Sequence, residues 1–381
     1  MHQTDDDTLA EQLALVRIPA PSFAEQARGD YVLARFQQMG LAAVRRDAVG
    51  NVLGEWRPAG AAEQPVVVAA HLDTVFAADT DVEPRRKGKR FHAPGITDNC
   101  RGLAGMLAVA RVLAGSGVRA PHPVLFAATV GEEGIGDLRG VKHLFREGSP
   151  LRGAAAFIAL AGSGLRRIVH RAIGSRRLRV EVSGPGGHSW ADRGAPNPIV
   201  ALGSAVAEVA TLALPHPARS SLTVARIGGG SSINSIPEGA WMELDMRSEV
   251  AGALAEMEAG VRGVLARVVD EENAGRRAGT EPLGARVAVI GDRPSGETPP
   301  KSPLVAAASA VTFALGARPE LVGSSTDANV PMALGIPSIA IGVGGDSGGI
   351  HTADEWYSND NGALGVERAL LIILSAAGLA A

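Results

Sequence analysis

The chain is poor in cysteine, in aromatic side chains and in net charge, and each shortage narrows what it can be. A single cysteine, Cys100, among 381 residues excludes an intrachain disulfide and fits a reducing compartment. The formal net charge is only -3, with lysine and arginine scattered, so no basic footprint for nucleic acid or an anionic membrane is expected. No apolar run is long enough to span a bilayer. The opening MHQTDDDTLAEQ is acidic and polar, unlike the basic start and apolar core of a secretory signal. We therefore expect a cytoplasmic protein whose partner is a small molecule. An aromatic content of 4% gives no sign of a ring-stacking pocket.

What is present is an ordinary globular composition, 46% hydrophobic and 20% charged, in a chain long enough for about two domains. Residues 22 to 39, SFAEQARGDYVLARFQQM, predict an amphipathic helix with Ser22 and Glu25 as a capping box and Val32, Phe36 and Met39 on one stripe. Unbroken apolar runs at 66–70, 124–130, 155–160 and 338–343 predict strands buried on both faces of an α/β sheet. RGLAGMLAVARVLA, between the first two, has helical spacing. From about residue 176 the pattern changes. RRLRVEV and WMELDMR alternate apolar with polar residues, marking a sheet with one wet face, and two helical patterns follow at 199–209 and 254–268. The expectation is an α/β domain, residues 1–175 with 291–381, interrupted by an α+β domain over 176–290.

Four polar clusters close the apolar segments: AAHLDTV, GITDNCRG, TVGEEGIGD and GGIHTADEW. Ligands of open α/β sheets bind beyond the carboxyl ends of the strands, where His71, Asp73, Glu132 and Glu133 fall. His71 and Asp73, two apart at a strand end, leave the sheet on one side.

The order of these clusters resembles the co-catalytic metallopeptidase family that includes tripeptidase (peptidase T), succinyl-diaminopimelate desuccinylase, carboxypeptidase G and aminoacylase. The resemblance covers nearly the whole chain, including GPGGHSW in the inserted domain. It implies an aminopeptidase-like α/β catalytic domain and an inserted lid or dimerisation domain of two helices on a four-stranded antiparallel sheet. It implies that His71 binds a first metal while Asp73 orients its imidazole, that Asp98 bridges two metals, and that Glu133 and His351 bind the second. Glu132 is implied as general base, taking a proton from metal-activated water. His188 is implied to stabilise the oxyanion in a neighbouring subunit, hence a homodimer or higher homo-oligomer, and Asn234 and Arg247 to hold a substrate carboxylate.

One implied ligand is missing. Where the resembled enzymes carry Asp or Glu on the first metal, FIALAGSG offers Ala161, and a methyl group cannot coordinate a cation. One firmly held divalent metal (Zn, Mn, Co or Fe(II)) is expected, with the other site weakened. The function expected is hydrolysis of a C–N bond in a small carboxylate-bearing substrate. Two alternatives stand beside it: an aminohydrolase converting 5-nitroanthranilate to 5-nitrosalicylate and ammonia, which that family also contains, and a non-catalytic ligand-binding homologue.

Overall fold

A computed structural model describes residues 2–217 and 219–379. The chain divides into two compact units, one running to Ala172 and resuming at Gly296, the other spanning Ile173–Ser295.

In the first unit nine strands form one mixed sheet. Its middle is four parallel strands in the order Val124–Thr129, Val66–His71, Ala156–Leu160 and Ser338–Ile341. Every residue of the four is buried. That explains the unbroken apolar runs, because each face must meet a layer of its own. Val66, Val68, Phe126, Ile158 and Ile339 face the layer that holds helices His2–Val16, Cys100–Gly115 and Gly362–Ala376. Val67, Leu125, Ala127, Phe157 and Ala340 face Val141, Phe145, Ala328 and Met332 on the other side. Strands Ala42–Arg46 and Val52–Trp56 extend one edge, and Arg167–Ala172, Gly296–Glu297 and Glu320–Ser324 the other. A separate four-stranded sheet, Asp346–Gly348, Trp356–Ser358, Arg90–His92 and Arg85–Lys87, places residues 90–92 beside 356–358. Among the described residues no helix is long and apolar enough to cross a membrane.

The helix expected over residues 22–39 starts later, and the capping box does not form. It spans Gln26–Gln38 without a side-chain cap bond. Ser22 donates instead to Asp73 and Glu25 pairs with Arg139. Both are charge-assisted bonds, stronger than a neutral cap bond.

The second unit is a four-stranded antiparallel sheet in the order Ser220–Gly229, Gly239–Ser248, Gly174–Ser183 and Gly284–Arg293. Leu178, Val180, Val182, Met242, Leu244 and Met246 pack under helices Pro198–Val209 and Ala251–Ala274. The alternating residues Arg177, Arg179, Glu243 and Asp245 pair with one another across the opposite face. The sequence alternation at 176–182 and 241–247 is this division between a covered face and a wet one.

Candidate metal centre

Strand Val66–His71 lies parallel to Val124–Thr129, with His71 opposite Thr129, so the two chains leave the sheet together. The first continues from His71 into Leu72 and Asp73, the second from Thr129 through Val130 into GEEG, and Asp73 joins the two. Asp73 is fully buried. Its Oδ1 accepts the Glu132 amide and its Oδ2 the Glu133 amide, both at 2.9 Å, while the Ser22 hydroxyl donates to Oδ2 at 2.6 Å. Burial would raise its pKa, but the His71 imidazole and these donors outweigh it and hold the carboxyl below its ordinary value. The Nδ1–H of His71 is closest to the main-chain oxygen of Asp73, at 3.0 Å, with the carboxylate at 3.6 Å. The imidazole is therefore oriented by residue 73, chiefly through its backbone. Arg28, a buried guanidinium, donates to the Leu72 oxygen between the two at 2.7 Å.

Asp98 stands between two imidazoles. His71 Nε2 is 3.1 Å from its Oδ1 and His351 Nε2 3.2 Å from its Oδ2. His351 Nε2 also lies 3.1 Å from Glu133 Oε1. Ligand atoms of His71, Asp98 and Glu133 all fall within 4.8 Å of one another, the spread of a cation site. Burial would raise the Asp98 pKa, yet its contacts to the two imidazoles hold it well below the usual carboxylate range. His71 is pushed well above its ordinary value because its bonds to Asp73 and Asp98 overcome its burial. Bonds to Asp98 and Glu133 push His351 up to about 10. Anionic oxygens gathered at one point demand positive charge, and protons supply it in the metal-free chain. Four of the residues expected as ligands are thus brought together, and Glu132 is buried beside them, close enough for its charge to act on His71.

Residue 161 is fixed next to this cluster. Asn99 follows Asp98, and its side chain donates to the Leu160 oxygen at 2.9 Å and accepts the Gly162 amide at 3.1 Å, so both peptides flanking Ala161 are tied to it. Gly102 permits this close approach: a Cβ there would collide with the Asn99 amide oxygen and the Leu160 carbonyl. The methyl group of Ala161 offers no ligand atom.

In the second unit, Gly187–His188 pairs with Ser235–Ile236. Ser189 donates its amide to the Asn234 oxygen at 3.0 Å, so His188 and Asn234 are neighbours. His188 Nδ1 accepts the Trp190 amide at 3.1 Å. A neutral His188 must therefore carry its proton on Nε2, as a donor facing outward. Arg247 uses Nε to bind Asp245 Oδ2 at 2.8 Å. It pairs in register with Ser175, eight residues from Ser183, where the chain turns off towards His188. At a strand rise of roughly 3.3 Å per residue that is about 26 Å, so the structure does not bring Arg247 to His188 and Asn234 within this unit.

Three contributors are not singled out by the sequence: Ser22 reads there as part of a capping box, and Arg28 and Glu355 carry no role. Glu355 is fully buried and accepts the amides of Gly95, Thr97 and Asp98. Burial pushes its carboxyl up to about 7 although three amides favour its charged form. In the sequence it is an acid four positions beyond His351 and beside Trp356 and Tyr357, a setting that does not set it apart from a surface acid.

The family model described as peptidase family M20/M25/M40 matches residues 67–375. Among solved structures the chain is similar to aminopeptidase PepT of Bacillus cereus, with 23% identity, TM-score 0.76, and 98% of this chain and 99% of that one covered. A tripeptidase of Staphylococcus aureus gives 22%, TM-score 0.79, and the same coverage of both chains. The YXEP protein of Bacillus subtilis, described as a dinuclear metal-binding peptidase, gives 16%, TM-score 0.70, with 98% and 99% covered. No curated protein sequence matches the chain.

Proposed function

The chain belongs to peptidase family M20/M25/M40, and from that premise we propose that it is a hydrolase in which Asp98, Glu133 and His351 hold one divalent cation firmly, acting on a small substrate that bears a carboxylate. His71 shares Asp98 and lacks a further carboxylate at residue 161, so a cation on that side is held weakly. The observation that carries this reading is the placement of Asp98, whose two oxygens each face a different imidazole, at 3.1 and 3.2 Å. The mixed imidazole and carboxylate set suits Zn, Mn, Co or Fe(II). A cation there would acidify a water and polarise the bond to be cut.

The chain's own groups do the rest. Glu132 takes a proton from the attacking water and delivers it to the departing nitrogen, so a C–O bond forms as the C–N bond breaks. The Nε2–H of His188 is suited to stabilise the developing oxyanion. Arg247 and Asn234 are assigned to the substrate carboxylate. Since Arg247 lies level with Ser175, eight strand residues or about 26 Å from Ser183 where the chain turns off towards His188, a small substrate meets both only if a second copy supplies one of them, which favours a homodimer.

Glu132→Gln tests the mechanism: turnover should fall about 100-fold or more with bound metal unchanged. Near-native turnover would refute it. Ala161→Asp tests the metal assignment, with metal per chain expected to rise from about one to about two, as co-catalytic geometry requires.

The methyl group of Ala161 favours one second reading. A lone firm cation also suits displacement of an aromatic amine by water, as in conversion of 5-nitroanthranilate to 5-nitrosalicylate. Product chromatography after incubation with tripeptides and with nitroanthranilate separates the two: free amino acids identify the first, ammonia and a phenol the second.

A further inference from the structure

Building on the metal site proposed above, we infer that Glu355 is its positioning residue, setting the distance between Asp98 and His351 by bolting together the two segments that carry them. The chain delivers these side chains from places 253 residues apart. Neither segment is regular: Asp98 ends a loop before helix Cys100–Gly115, and His351, at φ 65°, sits in a turn between two short strands. Loops of this kind have no ladder of their own to fix them.

Glu355 supplies the bolt through both its main chain and its side chain. Its backbone oxygen accepts the Ala93 amide at 3.1 Å. Its Oε1 accepts Thr97 N–H at 2.8 Å and Asp98 N–H at 3.1 Å, and its Oε2 accepts Gly95 N–H at 2.8 Å. Its own amide donates to the oxygen of Thr352, the residue after His351, at 3.2 Å, and the Thr352 amide in turn donates to the Gly349 oxygen at 3.0 Å, closing the turn that carries His351. Four donors from residues 93–98 therefore converge on one residue four positions beyond His351. Because the carboxylate is buried, no water replaces it, and its loss leaves three orphaned amides. The consequence is mechanical: Asp98 Oδ2 stays 3.2 Å from His351 Nε2 because the peptide bearing Asp98 hangs from Glu355.

Cobalt(II) titration of the metal-free full chain, read by chelator competition and by visible absorption, tests this. Glu355→Ala should weaken Co(II) binding 10- to 100-fold, as loss of a ligand-orienting partner does. Glu355→Gln, which retains an acceptor and the side-chain volume, should lose less and still shift the absorption bands. Glu11→Gln is the control: Glu11 is also buried, binds Arg35, Arg111 and Tyr31, and lies on a different contact network from the site. It should lower thermal stability while leaving affinity and bands unchanged. Native affinity and bands in both Glu355 variants, or equal changes in Glu11→Gln, would overturn the inference. Failure of the unaltered chain to bind Co(II) would instead remove the metal site itself, and this inference with it.

Discussion

The carboxylate of Asp73 accepts the main-chain amide of Glu132 at 2.9 Å and, through its other oxygen, that of Glu133 at the same distance. One buried side chain on the first strand end thus fixes the backbone of two consecutive glutamates on the second. Glu133 is extended, at φ -79° and ψ 148°, and neighbouring side chains on extended backbone point apart. Glu133 can then meet His351 while the Glu132 side chain points elsewhere, the division that the proposed ligand and base at adjacent positions would need.

Asp73→Asn should uncouple that arrangement. An amide nitrogen would face one of the two backbone N–H groups and lose its bond. We expect metal affinity to fall 10- to 100-fold, as for other groups that orient ligands, measured by chelator competition. Ser22→Ala removes one donor and leaves both amides in place, so a smaller loss is expected, about 1 kcal/mol of stability in a denaturant titration.

Metal uptake should release protons and strengthen with pH. In the metal-free chain the His351 pKa is raised to about 10, so at pH 8 its imidazole carries a proton that a cation must displace. Affinity should rise about tenfold per pH unit for each proton released, levelling above pH 10. The same shift stabilises the metal-free fold fully below the unfolded value near 6.5, and that contribution is lost as pH rises through 10. Calorimetry in buffers of different ionisation enthalpy reads the proton count; uptake independent of buffer would contradict it.

Gly102→Ala should damage fold and site together. The added methyl meets the Asn99 amide and the Leu160 carbonyl, neither of which can swing away without breaking its bond. Overpacking of this kind costs roughly 1–3 kcal/mol. A fall in melting temperature with weakened metal binding is expected. Ala→Gly changes on the exposed face of helix Ala251–Ala274 should affect only the first.

The central sheet was legible because strands buried on both faces have no choice but to be apolar throughout, and 66–70 and 124–130 stand out on that ground alone. The alternation in RRLRVEV and WMELDMR marked the second sheet for the complementary reason. HxD, TDN, GEEG and IHT were visible because polar residues at strand ends are few. What stayed hidden depends on long-range hydrogen bonds. Ser22 and Glu25 match a capping box in sequence, and only the fold shows that Asp73 and Arg139 compete for them. Glu355 lies next to an aromatic pair with no local pattern to distinguish it from a surface acid. The separation of Arg247 from His188 follows from strand register, which one sequence does not reveal.

The most direct test is metal content per chain, measured by inductively coupled plasma mass spectrometry on the unaltered protein and on Asp98→Ala after equal exposure to Zn, Mn or Co. Asp98 touches both imidazoles, so about one ion per chain in the first and close to none in the second is expected. Equal occupancy in the two proteins would contradict a cation held firmly by Asp98 together with Glu133 and His351.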